Sequence, residues 1–454
     1  MLSISHKLSQ LSNRVRYQAD AHIDNPRLKY GRRLCMQFVF ASSGLLLFLF
    51  LSFIFLSHAQ LWTEITQLQT ETTLADQQRV PFYFTDGAFV AISNNESINP
   101  VPPENVSINP VSPECDLFSG RWVHDPSYPL YKLKSCPVIE QGFRCSENGR
   151  ANQRYMEWRW QPDKCNLPRF NSKDMLTRMQ NMRITFVGDS MGRTQWQSLI
   201  CMLLEGIPEK KSVYEINGNQ ILKFTPYLAY HFASYNLTVD YYRSPFLVQR
   251  GLPPKRVPRR VQSVLKLDKL ETVEVKWRDA DVLVFNSGHW WNPYKTYKIG
   301  CYFQVGGFLK LGMKVETAYQ FALRTWASWV DSIVNTNKTQ VFFRSFEAVH
   351  DEMSQKGRRC LTELDPDFEK AHFKSYSKAQ LLREVLASMK KPALLLNITG
   401  STEYRVDGHV GNWSGGPAPV DCSHWCLPGV PDTWNELLYA SLMLKGEGAW
   451  SMSR

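Results

Sequence analysis

The chain has 454 residues, of which 43% are hydrophobic and 21% charged, a composition typical of a packed globular protein that excludes wholesale disorder. At about 100–200 residues per domain, this length allows two or three domains. The net charge of +11 does not indicate a nucleic-acid binder, because residues 1–33 alone hold seven Lys or Arg against two Asp.

Residues 34–57 form a run of 24 residues without a charged side chain, long enough for a helix to cross about 30 Å of hydrocarbon. The run is too long, and begins too far from the N-terminus, for a cleaved signal peptide. Basic residues precede it and acidic residues follow it, so the positive-inside rule predicts that residues 1–33 are a cytosolic tail. We therefore expect a membrane-anchored, single-pass type II protein whose remaining residues are lumenal.

Glycosylation motifs and cysteines agree with this topology. The Asn-x-Ser/Thr acceptor sites all follow the predicted span: Asn95, Asn105, Asn236, Asn337, Asn397 and Asn412. Nine of the ten cysteines also follow it, which is typical of disulfides formed in the secretory pathway. We expect a glycoprotein of the Golgi membrane. Residues 58–114 contain a tandem duplication with two acceptor sites and are interpreted as a glycosylated stem, the alternative being a loop of the folded part.

Two folded regions are predicted after the stem. Residues 115–170 contain four cysteines and many aromatic residues, and we interpret them as a small disulfide-rich module. Residues 171–454 alternate short apolar runs with longer helical ones, the pattern of an α/β domain with a parallel sheet and flanking helices. The predicted strands begin at Arg183, Asp281, Gln340 and Ala393, and the predicted helices span 191–205, 317–334, 377–389 and 433–444. We expect the chemistry at the carboxyl ends of the strands.

The first predicted strand runs into Gly188, Asp189 and Ser190, directly before a helix. A serine at a helix N-terminus is placed for nucleophilic catalysis, because free amides and the helix dipole favour developing negative charge. The commoner alternative is that Asp189 or Ser190 only caps the helix. A Gly-Asp-Ser tripeptide by itself is weak support for catalysis.

Asp421 and His424 supply the partners that a nucleophilic serine needs. At this spacing the carboxylate can hold one ring nitrogen while the other accepts the serine proton. A zinc site is an alternative, because Cys422 and Cys426 are interleaved with the pair, but zinc ligands are usually drawn as pairs from two segments. A structural histidine is a further alternative. We predict no metal.

Other polar residues follow the strands and are candidates for binding the oxyanion or positioning the substrate. Asn286 can donate its side-chain amide and Gly288 its backbone amide, with His289 beside them. The alternative is a packed turn. Gly188 and Asp189 join this set, and Arg193 either orients substrate or is solvated.

Several segments together resemble the plant trichome birefringence-like family, whose members are wall polysaccharide O-acetyltransferases. The segments that carry the resemblance are CDLFSGRWV at 115–123, FVGDSMGRTQWQSL at 186–199, YRSPFLV at 242–248, NSGHWW at 286–291 and DCSHWCLPGVPDTWNELL at 421–438. The resemblance implies an SGNH-hydrolase-like α/β fold and a catalytic triad of Ser190, His424 and Asp421. It also implies a single-pass protein of the Golgi membrane.

The resemblance also implies a disulfide pattern, which the spacing of the cysteines alone leaves open. The implied pairs are Cys115 with Cys165, Cys136 with Cys201, Cys145 with Cys426, and Cys360 with Cys422, leaving Cys301 over. The chain departs from the family pattern at residues 347–359, where charged residues replace a Trp-Asn-rich stretch. This departure leaves the triad intact and puts acceptor specificity in doubt.

The predicted activity is acetyl transfer, through a serine acetyl-enzyme, to hydroxyls of a wall polysaccharide of xylan, xyloglucan, mannan or pectin type. No phosphate-binding loop is present, so no bound cofactor is expected, and the acetyl group comes from a co-substrate or a donor-supplying membrane protein. An acetylesterase with the same triad and a non-catalytic polysaccharide-binding scaffold are the alternatives. A glycosyltransferase is less favoured, because the DxD-like Asp279 and Asp281 precede their strand. The basic loop at 250–260 is either solvated surface or a contact for uronic acids.

Overall fold

The computed structural model describes residues 115–354, 357–360, 365–368, 377–416 and 420–445. The predicted cytosolic tail, membrane span and stem, with Asn95 and Asn105, lie outside these residues. None of the helices in the described part of the chain combines the length and apolar character of a membrane span.

The β-strands of the described residues outnumber the α-helices. In chain order they are β1 (Gly120–His124), β2 (Trp158–Pro162), β3 (Arg183–Gly188), β4 (Val213–Glu215), β5 (Tyr227–Phe232), β6 (Leu237–Arg243), β7 (Val248–Gly251), β8 (Ser263–Leu270), β9 (Val282–Asn286), β10 (Cys301–Val305), β11 (Phe308–Lys310), β12 (Gln340–Arg344), β13 (Asp351–Ser354), β14 (Gly357–Cys360), β15 (Leu394–Leu396), β16 (His409–Gly411) and β17 (Asp421–Trp425). The α-helices are α1 (Ser172–Arg178), α2 (Ser190–Leu204), α3 (Val315–Ile333), α4 (Ser377–Ala387), α5 (Thr399–Glu403) and α6 (Val430–Lys445).

The central sheet has seven strands in the order β15-β12-β9-β3-β6-β5-β4. The first five are parallel, and β5 and β4 extend the sheet in antiparallel fashion. Strands β9 and β12 are buried along their whole length, as expected for parallel strands covered on both faces. The four predicted strands correspond to β3, β9, β12 and β15, and the four predicted helices to α2, α3, α4 and α6, so the predicted mixed α/β fold is confirmed.

Alternate residues of the central strands face two separate hydrophobic clusters. Phe186, Val284 and Phe342 belong to the first cluster, with side chains of α2 and α6. Their neighbours Val187 and Phe285 belong to the second cluster, with α3 and α4. Because successive side chains of a strand point to opposite faces, the sheet is the middle of three layers. Each large apolar side chain buried in this way contributes about 1.5–3 kcal/mol.

The segment before α1 packs on the first of these clusters rather than forming a core of its own. Strands β1 and β2 pair in antiparallel fashion, with Trp122 and Trp160 in edge-to-face contact at 5.6 Å between ring centroids. Both tryptophans belong to the same cluster as α2 and α6. The Trp122 indole N–H also donates to the backbone oxygen of Ser401 at 2.7 Å.

Smaller sheets complete the fold. Strands β11, β10, β8 and β7 form a four-stranded sheet beside α3, and β13 pairs with β14. Strands β16 and β17 pair in antiparallel fashion. The second of these two strands carries both Asp421 and His424.

Disulfides join distant parts of the chain. The pairs in the described residues are Cys115–Cys165, Cys136–Cys201, Cys145–Cys426 and Cys360–Cys422. They match the pattern that the family resemblance implied. Cys301 is buried and unpaired within the described part of the chain, and burial raises the pKa of its thiol.

Candidate active site

Ser190 is the first residue of α2 and follows β3 across a one-residue turn. The Asp189 side chain caps the helix by accepting a hydrogen bond from the Met191 amide at 3.0 Å. Asp189 is therefore the cap, and this leaves the Ser190 hydroxyl free for another partner. Gly188 is required here, since any Cβ at this position would overlap the side chain of Asn286.

The structure brings Ser190, His424 and Asp421 together in a hydrogen-bonded chain. His424 Nε2 lies 2.7 Å from Ser190 Oγ, and His424 Nδ1 lies 2.7 Å from Asp421 Oδ2. The other carboxylate oxygen of Asp421 accepts from the backbone amides of Ser423 at 3.1 Å and His424 at 3.0 Å. All three side chains are partly exposed, so a substrate can reach them.

The Asp421 carboxylate orients the His424 ring so that Nε2 faces the serine hydroxyl. Burial alone would raise the pKa of Asp421, but its hydrogen bonds to His424 and to backbone amides hold the pKa well below its usual range. The ionised carboxylate accepts a hydrogen bond from Nδ1–H, so Nε2 is left as the acceptor for the Ser190 hydroxyl. This arrangement can activate a hydroxyl nucleophile.

The zinc alternative fails because its two thiolate ligands do not exist in this fold. Cys422 is bonded to Cys360, and Cys426 is bonded to Cys145. Oxidised cysteines cannot act as thiolates, which are the form that binds zinc. The disulfides instead fasten the segment that carries His424 at two points.

The disulfide-rich segment forms one wall of the site, through Phe143 and Glu140, which were not named from the sequence. Phe143 stacks on the ring of His424, with ring centroids 5.6 Å apart and planes inclined by 23°. Arg193 is buried and paired with Glu140 at 2.5 Å, which excludes the alternative that it is merely solvated. Its guanidinium also donates to the backbone oxygen of Leu222. The sequence signal for this wall was the implied Cys145–Cys426 bridge, because Cys145 lies two residues after Phe143 and Cys426 two residues after His424.

Asn286 is held against the start of α2 rather than standing free. Its side-chain amide donates to Asp189 Oδ1 at 2.6 Å, and its oxygen lies where a Cβ on Gly188 or Gly192 would have to be. One of the two amide hydrogens is thus used to hold the cap residue. Burial raises the pKa of Asp189.

Gly288 and His289 lie in a buried charged cluster beside the cap. His289 pairs with Glu347, which also pairs with Arg344. Burial alone would raise the pKa of Glu347, but Arg344 and His289 bring it to about 2. Glu347, the first of the charged residues that depart from the family pattern at 347–359, is thus buried in this cluster and 1% exposed.

Phe346 explains the glycine that precedes His289. Its ring stacks on His289 at 4.3 Å, and a Cβ on Gly288, which has φ of 151°, would overlap the same ring. Lys378 donates to the backbone oxygen of Gly288 at 3.0 Å, and burial lowers the pKa of this lysine. The packed-turn alternative thus describes the surroundings of Gly288 and His289.

A pair of buried histidines, His350 and His409, supports the strand that carries Asp421 and His424. His409 Nδ1 contacts the backbone oxygen of His424 at 3.1 Å, and His409 Nε2 lies 2.8 Å from His350 Nδ1. His350 Nε2 donates to the backbone oxygen of Glu403 at 2.8 Å. Sequence reasoning missed this pair because the two histidines lie in separate segments without a motif.

The remaining predicted residues lie away from the triad or on the surface. Asn236, Asn337 and Asn412 are exposed, whereas Asn397 is half-buried beside the Ser345 hydroxyl. Asp281 accepts from the Arg183 amide at the amino end of β3, which is the wrong edge for a DxD ligand site. The basic residues of the loop at 255–260 are exposed.

Two family profiles match the chain. Residues 167–441 match the PC-Esterase family, described as a GDSL/SGNH-like acyl-esterase family found in Pmr5 and Cas1p. Residues 113–166 match the PMR5 N-terminal domain. The two matches meet between residues 166 and 167, four residues before the predicted end of the disulfide-rich module at 170.

Curated relatives from Arabidopsis thaliana match over most of the chain. Trichome birefringence-like protein 7 is 51% identical over 327 residues, which cover 72% of each chain. Trichome birefringence-like protein 9 is 44% identical, over 73% of this chain and 84% of the relative. The trichome birefringence protein is 40% identical, over 73% of this chain and 56% of its own.

Proposed function

Because the chain belongs to the trichome birefringence-like family, with a GDSL/SGNH-like acyl-esterase domain, we propose that it is a polysaccharide O-acetyltransferase with Ser190 as nucleophile. The acceptor is a hydroxyl of a plant cell-wall polysaccharide. The observation that carries this proposal is the 2.7 Å contact between Ser190 Oγ and His424 Nε2, continued by the 2.7 Å contact to Asp421.

The first half-reaction forms an acetyl-enzyme. His424 Nε2 accepts the hydroxyl proton as Ser190 Oγ attacks the carbonyl carbon of the acetyl donor. The negative charge that develops on the carbonyl oxygen lies at the N-terminus of α2, where the helix dipole favours it. The tetrahedral intermediate collapses, and the departing group takes the proton from His424. Asp421 holds the imidazole in the required tautomer and stabilises its charged form.

The second half-reaction transfers the acetyl group to sugar. His424 accepts the proton of an acceptor hydroxyl, whose oxygen attacks the acetyl ester on Ser190. Collapse of this second intermediate returns the proton to Ser190 Oγ. Water competes with the sugar at this step, so transfer requires that the bound acceptor exclude solvent.

The cellular setting is part of the proposal. Residues 34–57 anchor the protein in the Golgi membrane as a single-pass type II protein, with residues 115–445 in the lumen. The lumenal setting agrees with four disulfides in the described residues. Three exposed acceptor asparagines, Asn236, Asn337 and Asn412, support glycosylation. The acetyl group comes from a separate donor or a donor-supplying membrane protein.

An acetylesterase is the second candidate, because the matched family is described as acyl esterases and the same triad serves hydrolysis. The two activities differ only in whether water or a sugar hydroxyl takes the acetyl group. A polysaccharide-binding scaffold without catalysis is less favoured, since it gives no role to the hydrogen-bonded chain from Ser190 to Asp421.

Incubation of the purified protein with an isotopically labelled acetyl donor tests the proposal, with a panel of wall oligosaccharides present or absent. We expect labelled acetyl on Ser190 by mass spectrometry, and its transfer to at least one oligosaccharide. Ser190→Ala should abolish both, whereas the matched control Ser332→Ala, on the exposed surface of α3, should change neither. Release of acetate without any modified oligosaccharide would favour the esterase. If the wild-type protein binds polysaccharide but acquires no labelled acetyl group on Ser190, the result would favour the scaffold.

A further inference from the structure

A group of cationic and aromatic side chains lies at the same edge of the sheet as Ser190. Arg243 is the last residue of β6 and pairs in register with Gly188 of β3, and the next amide, of Ser244, donates to the Gly188 oxygen at 2.7 Å. Trp290 follows β9, the strand on the other side of β3. Ser190 therefore leaves the middle strand between the two that supply Arg243 and Trp290.

The side chains contact one another in what we term the cation–aromatic cluster: Phe224, Arg243, Trp290 and Lys295. The Arg243 guanidinium lies 5.0 Å from the ring centroid of Trp290 and 5.8 Å from that of Phe224. Lys295 Nζ lies 5.0 Å from the same Trp290 ring. The aromatic rings hold the two cations in place without neutralising them.

The two charges of the cluster differ from the other cations near the site. Arg193 is paired with Glu140, and Arg344 with Glu347. Among the described residues, no carboxylate lies within ion-pairing distance of Arg243 or Lys295. Two positive charges that are unpaired with any described carboxylate, at the same edge of the sheet as the proposed nucleophile, create a local potential that favours an anionic ligand.

We propose that the cation–aromatic cluster binds a carboxylate of a uronic acid residue in the acceptor, so that the acceptor is an acidic polysaccharide. This inference rests on the proposed function of Ser190. The planar guanidinium of Arg243 matches a carboxylate in two parallel hydrogen bonds, and Lys295 adds a second charge. Phe224, which is 71% exposed, presents a ring face to the apolar side of a sugar.

Two acceptors with the same sugar backbone test the inference. One is an oligogalacturonide, and the other is the same oligomer with its carboxyl groups methyl-esterified. We expect Arg243→Gln to lower kcat/KM for the acidic oligomer about ten- to hundredfold, and to change that for the ester less than about twofold. Lys295→Gln, at an exposed position, should act in the same direction, with a smaller loss. The matched control Arg278→Gln, before β9 at the opposite edge, should change neither value.

Direct binding measurements separate failure of this inference from failure of the proposed function. In the Ser190→Ala background, Arg243→Gln should weaken binding of the acidic oligomer and not of the ester. An equal effect on both oligomers, or none, overturns the inference even if wild type acetylates sugars. The inference is also overturned if Arg243→Gln slows acetyl-enzyme formation only with an acetyl donor that bears a phosphate. The cluster would then bind the donor and not the acceptor. If no acetyl-enzyme forms on wild-type Ser190, the proposed function fails, and the binding result still decides whether the cluster recognises carboxylates.

Discussion

Two glycines determine how closely Asn286 approaches the start of α2. The Asn286 oxygen occupies the space of a Cβ at Gly188 and at Gly192, and its amide holds the cap residue Asp189. The glycines of this motif are thus explained by close packing of a side chain, and not by backbone angles. Asp189 in turn fixes the turn from which Ser190 emerges.

Gly192→Ala should destabilise the protein and reduce activity together. In an open helix this change stabilises by about 0.5–1 kcal/mol, but here the added methyl group displaces Asn286 at a cost of about 1–3 kcal/mol. We expect a lower midpoint in urea unfolding and about ten- to hundredfold slower formation of the acetyl-enzyme. Gly400→Ala in α5, where a Cβ meets nothing within 4 Å, is the control. Equal behaviour of the two variants would contradict the packing argument.

At the scale of elements, buried carboxyl groups on α6 hold the disulfide-rich segment. Glu436 accepts from the Tyr128 hydroxyl at 2.8 Å, and Asp432 accepts from the Tyr131 hydroxyl at 3.0 Å. Burial raises the pKa of Glu436 to about 7 and that of Asp432 to about 6. The folded state therefore holds these protons at a pH where the unfolded chain has released them.

This docking contact predicts that stability falls as the pH rises. A carboxyl group with a raised folded pKa contributes stability that is fully present below its unfolded value, about 4.3, and lost as the pH rises through about 7. Glu436→Gln removes this ionisable group and should make the curve shallower, a gain of roughly 3–4 kcal/mol relative to wild type at pH 8. Urea unfolding between pH 5 and 8 measures this. Glu384→Gln, on the exposed surface of α4, should retain the wild-type slope.

The elements that the sequence predicted are those with continuous apolar runs. Strands β3, β9 and β12 each contain a cluster of large apolar residues, so their pattern is visible in the sequence. Strand β6 was missed because Asp240 interrupts its pattern, and a buried aspartate is disfavoured in a strand unless it is paired. The partner is Arg183 of β3, in a contact between neighbouring strands that only the fold reveals.

At the scale of the whole molecule, residues far apart in the chain meet at the site. Ser190 and His424 were predicted because each lies in a short motif with a known chemical role. Phe143, Glu140 and the histidine pair were not, since they act through contacts between separate segments. The disulfide pairs followed from family resemblance, because spacing alone allows many connectivities.

The Cys145–Cys426 bridge closes a sequence separation of 281 residues and lies two positions after His424. Replacing both cysteines by serine should lower the free energy of unfolding by about 2–5 kcal/mol, because the unfolded chain regains its freedom. We also expect reduced activity at temperatures well below unfolding, since the segment carrying His424 loses an attachment. Replacing Cys115 and Cys165 together is the control, because that bridge joins residues within one segment. Undiminished activity of the first double variant would show that packing alone positions His424.

The stacking of Phe143 on His424 also limits how members of this family can be recombined. Exchange of the region matched at 167–441 for that of a relative, without the region at 113–166, pairs Phe143 of this chain with an imidazole from another parent. We therefore expect chimeras with a crossover upstream of Cys115 to retain more activity, because both regions then come from the same parent.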